Sequence, residues 1–191
     1  MELQELIKAV YGTVLSKRAS IYCSVPITSG RRYYDWLAKV DTNLDNTDSY
    51  NEEVYIPNIE YANKLVENIR TKVSYVVINP AAMPKISGWG QNKWLNLWED
   101  VIIAHAHTVV FANGWQYSNG CVYEFFVAQS RHINCCDETF EHFGINHGID
   151  LIKKAIATIK EKTFLFEARQ LEIVLSELKS LRVPDYYSEL Y

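Results

Sequence analysis

Glu124 sits where its neighbours ask for burial. An apolar run, Val109-Val110-Phe111-Ala112, enters a turn, Asn113-Gly114-Trp115-Gln116-Tyr117-Ser118-Asn119-Gly120. The helix that follows carries Glu124 one turn inside its start, next to Phe125, Phe126, Val127 and Ala128. A carboxylate at the mouth of a sheet, close to the backbone N–H donors of a helix start, costs stability unless chemistry uses it. Glu124 is therefore the leading candidate catalytic residue. The bland alternative is a helix-start carboxylate satisfied by backbone donors.

The turn before Glu124 carries a second signal. The Ser118 hydroxyl and the free N–H groups of a helix start suit a dianionic phosphate, which an Asp there would repel. Thr28, Ser29, Gly30 and Arg31 or Arg32, on the loop after the first predicted strand, could complete such a cradle. Alternatively Ser118 only caps the helix and the arginines are solvated. Trp89, Trp115 and Tyr117 flank turns, where an aromatic ring either stacks on a ligand or packs in the core. His105, His107, His132, Cys135, Cys136, His142 and His147 show neither Cys-x-x-Cys nor His-Glu-x-x-His spacing, so no metal is expected. Gly-x-Gly-x-x-Gly and the Walker lysine motif are also absent, and no cofactor is expected.

These residues need a scaffold, and the chain predicts one. Its 191 residues, 48% hydrophobic and 22% charged, suffice for one well-buried core. The formal net charge of -4 argues against broad nucleic-acid binding. No apolar run is long enough to cross a bilayer, and the N-terminus is acidic and amphipathic, unlike a secretory signal. Cys23, Cys121, Cys135 and Cys136 form no disulfide framework, which points to a reducing cytoplasm.

Apolar periodicity predicts helices over residues 1–17, 59–72, 91–104, 119–131, 149–162 and 167–181. Strands are expected over 19–25, 73–79 and 108–112, with another near Ile133, and residues 41–50 read as a loop. Alternating strands and helices imply an α/β fold with a mostly parallel sheet flanked by helices, of Rossmann or flavodoxin-like type. Ligands of such sheets bind at the carboxyl ends of the strands. The chain reads as a single domain, 1–191, with residues 149–191 as a C-terminal helical appendage and possible oligomer contact.

Two segments resemble the nucleoside 2-deoxyribosyltransferase family, including its nucleotide N-glycosidase branch of deoxynucleoside-monophosphate and CMP hydrolases. One is Ile21-Tyr22-Cys23-Ser24-Val25-Pro26-Ile27-Thr28-Ser29-Gly30, similar to the family's opening strand and glycine-containing loop. The other runs from Asp100 to Ala128: an Asp, an apolar strand, then Gly114-Trp115, Ser118, Gly120 and Glu124. The spacing from Asp100 to Glu124 matches the family's acid-to-nucleophile spacing, and Ser118 stands at the monophosphate branch's phosphate-contacting serine. Thr108 and Asn113 depart from acidic residues common in the family.

The resemblance implies cleavage of an N-glycosidic bond, by hydrolysis or by transfer to a second base. Glu124 would stabilise positive charge on the sugar or form a glycosyl-enzyme ester. Asp100 would protonate the departing base, and Tyr22 would orient Glu124 by a hydrogen bond. Ser118 favours a nucleoside 5′-monophosphate, with Gly120 and Trp115 completing the pocket. The family also implies a homodimer or higher homo-oligomer with shared sites. For Asp100 the residue-level alternative is a solvent-facing position on an amphipathic helix. Two rival functions use the same pocket: a nucleotide-binding sensor without turnover, and a glycohydrolase acting on NAD or a cyclic nucleotide.

Overall fold

The computed structural model describes residues 2–40 and 46–181. Four parallel strands form one sheet: β1 (Ser20–Ser24), β2 (Val76–Ile78), β3 (Ala106–Phe111) and β4 (Asn134–Asp137), in the order β2-β1-β3-β4. The chain is α/β, as in Rossmann- and flavodoxin-like folds. The two central strands, β1 and β3, are short and almost wholly buried, with helices covering both faces, the usual signature of parallel pairing.

Helices α1 (Leu3–Val14), α2 (Arg31–Leu37) and α3 (Thr47–Tyr50) come first, followed by α4 (Ile56–Lys72), α5 (Gln91–His105) and α6 (Asn119–Ser130). The C-terminal pair is α7 (Ile145–Glu161) and α8 (Leu165–Ser180). Helix α4 lays Ala62, Leu65, Val66 and Ile69 against Ile21, Cys23 and Val110 on one face of the sheet. On the other face α5, α6, α7 and α8 enclose a larger core with Tyr22, Val109 and Phe111. Strand alternation thus sends Tyr22, and Ser24 two residues on, towards α6.

Several boundaries differ from the sequence reading, for local reasons. Residues 41–45 of the expected loop lie outside the described residues, but Thr47–Tyr50 is helical and continues through a π-helical stretch, Asn51–Tyr55, into α4. Pro57 lies at the start of α4 and has no N–H to donate backwards, and the wider π turn precedes it. Helix α2 was not expected at all. Tyr34 and Trp36 bury its inner side despite its length of 7 residues. Strand β2 shrinks to Val76–Ile78, with Val76 exposed at its entry.

The C-terminal helices pack into the main core. Ile149, Ile152, Ile156 and Ile159 of α7 join Ala168, Leu171, Leu175 and Leu178 of α8 in the same core as Tyr22 and Phe125. Gly148 shows how closely α7 approaches α6: a Cβ there would lie 2.3 Å from the Phe125 ring. Residues 182–191, the end of the expected appendage, lie outside the described residues. Among the described residues no helix is long and apolar enough to cross a membrane.

Candidate functional site

The order β2-β1-β3-β4 reverses direction between β1 and β3, and in sheets of this kind the ligand crevice lies at the carboxyl ends of the strands at such a reversal. The β1 loop runs from Val25 to Gly30. The β3 loop runs from Ala112 to Ser118 and includes Gly114 in the left-handed region at φ 82°. The Ser29 hydroxyl donates to Ser118 Oγ at 3.1 Å and so bridges the two loops. Ser118 is also the N-cap of α6, accepting from the Cys121 N–H at 3.5 Å. Having accepted twice, the Ser118 hydroxyl keeps its own hydrogen to donate.

Glu124 lies one turn into α6 from that cap, 8% exposed, and is the only acidic side chain buried among the described residues. Its partners are not backbone donors. The Tyr22 phenol donates to Oε1 at 2.6 Å and the Ser24 hydroxyl to Oε2 at 2.6 Å. Both donors come from the same face of β1. Burial pushes the Glu124 carboxyl up from 4.5 to about 7, while the Ser24 and Tyr22 hydrogen bonds pull it down. Desolvation outweighs two hydrogen bonds to the charged form. The Tyr22 phenol is fully buried and held well above its ordinary value, first by burial and then by the Glu124 charge, so it remains a donor.

Asn58 of α4 shapes the β1 loop. Its side-chain amide donates to the carbonyls of Ile27 at 3.0 Å and Ser29 at 3.1 Å, and its Oδ1 accepts from Arg32 at 3.1 Å. The Tyr50 phenol donates to the Thr28 carbonyl at 2.8 Å. Gly30 is required there: its φ is 92° and a Cβ would stand 2.6 Å from Pro26 Cβ. Gly120 is different, since a Cβ would meet only Ser118 Oγ, at 3.8 Å.

The structure therefore brings together Glu124, Tyr22, Ser118 and Ser29, with Gly30 and Gly120 framing them and Thr28 on the same loop. It does not bring Asp100, Arg31 or Trp115 into the cluster. Asp100 is on the outer face of α5, paired with Lys8 of α1 at 3.0 Å, because Trp98, Val101 and Ile102 take the inward positions. Arg31 is an exposed side chain 4.0 Å from Asp35. Trp115 packs into an aromatic cluster, its ring 4.8 Å from Phe111 and 4.9 Å from Phe125. Sequence reasoning gave no role to Ser24 or Asn58. A serine in an apolar strand and an asparagine on a helix carry no mark of their partners.

A cleft of about 540 Å³ opens beside the site, at the carboxyl ends of β3 and β4. Asn113, Trp115, Glu138, Glu141, His142 and Phe143 line it, whereas Glu124 and Ser118 do not. Glu138 is held on its far side by Tyr61. No cluster of three or more His, Cys, Asp or Glu side chains able to hold a metal ion occurs among the described residues.

The fold and the crevice define an α/β chain with one buried, hydroxyl-clamped carboxylate at its switch point. No family model, curated protein or solved structure matches it.

Proposed function

We propose that this chain breaks, or transfers across, the N-glycosidic bond of a nucleoside 5′-monophosphate, with Glu124 as the reacting carboxylate. The observation that carries this reading is the setting of Glu124: a buried carboxylate, one oxygen held by Tyr22 and the other by Ser24. A fixed, desolvated carboxylate suits attack on an anomeric carbon, where positive charge develops. One Glu124 oxygen forms an ester with the sugar as the C–N bonding pair leaves with the base, and water then hydrolyses the ester. Attack needs the ionised carboxylate, and Glu124 reaches that form as the pH passes about 7.

The phosphate would sit against Ser118 and Ser29, with the N–H groups of the 12-residue helix α6 behind them. Room at Gly120 allows close approach of the backbone. With Asp100 on the outer face of α5, the leaving base takes its proton from water. The resemblance to nucleoside 2-deoxyribosyltransferases supports the same reading through Tyr22, Ser118 and Glu124. A homodimer or larger assembly accords with it, and the exposed Leu3, Leu6, Val10 and Val14 on α1 supply an apolar face.

A second reading, a nucleotide sensor without turnover, is favoured by the outward Asp100, which leaves one carboxyl where two were expected. One panel separates these. The chain is incubated with nucleosides, their 5′-monophosphates, NAD and a cyclic nucleotide, and free bases are separated by chromatography. Base released from a monophosphate supports the proposal. Thermal stabilisation by a monophosphate with no base supports the sensor, and free nicotinamide would redirect the reading to NAD.

A further inference from the structure

The residue that completes the carboxylate's setting is one to which neither motif nor resemblance gives a role. We infer that Ser24 is a positioning residue that fixes the orientation of the Glu124 carboxylate and stabilises its ionised form from the oxygen opposite Tyr22. This rests on reading Glu124 as the reacting group.

The geometry is specific. Tyr22 and Ser24 are neighbours on one face of β1, and Glu124 lies between that face and α6. Tyr22 takes Oε1 and Ser24 takes Oε2, each at 2.6 Å, a length typical of a hydroxyl donating to a charged oxygen. With both oxygens held, the carboxylate plane cannot turn about its last bond. Ser24 is 0% exposed, so its hydroxyl cannot exchange Glu124 for solvent. Strand pairing also holds its backbone: Ser24 pairs with Phe111 of β3, and its carbonyl accepts the Ala112 N–H at 3.0 Å. The donor is thus carried on a central strand of the sheet.

No cationic group takes over this role among the described residues. Glu124 forms no ion pair with a lysine, arginine or histidine among the described residues. The titratable groups coupled to it are Tyr22 and Cys23 of β1 and Cys121 of α6. Burial raises all three, Cys23 to about 12, so they stay neutral near pH 7. Ser24 and Tyr22 are the groups that favour the charged carboxyl against burial. Removing either donor leaves one oxygen of a buried carboxylate unpartnered.

The test reads the carboxyl directly. Protein labelled with ¹³C at the glutamate side-chain carboxyl is titrated by NMR, with Glu124→Gln identifying the Glu124 resonance. In Ser24→Ala the midpoint should move to higher pH by about one unit or more. Ser24→Cys, a weaker donor of similar size, should fall between, and it carries the test if the alanine variant does not fold. An unchanged midpoint in the folded variant overturns the inference. Turnover is measured separately: if the variant retains activity, its acidic limb moves with the midpoint, and activity near pH 7 falls about fivefold or more. A shifted midpoint in a chain that releases no base from any nucleotide would sink the glycosidase reading while leaving Ser24's role intact.

Discussion

Tyr22 and Glu124, 102 positions apart in the chain, meet through a 2.6 Å hydrogen bond where both side chains are buried. Strand β1 supplies the phenol and helix α6 the carboxylate, and the parallel pairing of β1 with β3 sets their separation. The bond matters because Glu124 is otherwise in an environment that penalises its charge.

Removing that phenol should therefore raise the Glu124 carboxyl above its value of about 7. In Tyr22→Phe the acidic limb of the pH–rate profile moves to higher pH. Loss of one hydrogen bond to a charged group costs roughly 1.5–3 kcal/mol, so activity at neutral pH drops by a factor of about 10 to 100. An acidic limb that stays in place would separate Tyr22 from the ionisation of Glu124.

Stability carries the same signature with a definite sign. The folded chain binds the Glu124 proton more tightly than the unfolded chain, whose carboxyl titrates near 4.5. Stability from this group is complete below pH 4.5 and is lost as the pH rises to about 7, in total about 3 kcal/mol. Glu124→Gln removes that dependence. Denaturant titrations from pH 4.5 to 8 should show a flatter profile for the variant and greater stability than wild type at pH 8. Parallel profiles would contradict the burial of an ionising carboxyl.

The exposed ion pair makes Asp100 a control. Lys8–Asp100 leaves the Asp100 side chain 50% exposed, and solvent screening leaves such surface pairs little effect on stability. Asp100→Asn should change any base release by no more than about threefold and leave thermal stability nearly unchanged. A loss of about a hundredfold would return Asp100 to the chemistry.

Behind Glu124, the seam between α6 and α7 has no slack. Gly148→Ala would force the Phe125 ring from a core it shares with Phe111 and Trp115. Overpacking of this kind costs about 1–3 kcal/mol. Calorimetry should show a lowered Tm, and wild-type stability in the variant would mean that the two helices sit farther apart.

Much of this arrangement was legible in the sequence, for particular reasons. The apolar runs at β1 and β3 end at Pro26 and at Asn113-Gly114, and helix α6 starts where Ser118 caps it. Those three elements are enough to place Tyr22, Ser118 and Glu124 at one edge of the sheet. Asp100 lies apart from Glu124's partners, since separation along the chain says nothing of helical phase. The outward positions Asn96 and Ala104 put it on the polar side of α5. Ser24 and Asn58 escaped because their meaning lies in partners 100 and 31 positions away in the chain. Helix α2 escaped because its aromatic residues are too few to show a period.

The most direct measurement is the release of free base from a panel of nucleoside 5′-monophosphates by the wild-type chain and by Glu124→Gln, followed by chromatography above pH 7. Base should appear together with an equal amount of sugar phosphate, and the variant should lose activity by at least about a thousandfold while remaining folded. Equal turnover by the two proteins, or no base from any nucleotide with the wild-type chain, would contradict Glu124 as the carboxylate that breaks the N-glycosidic bond.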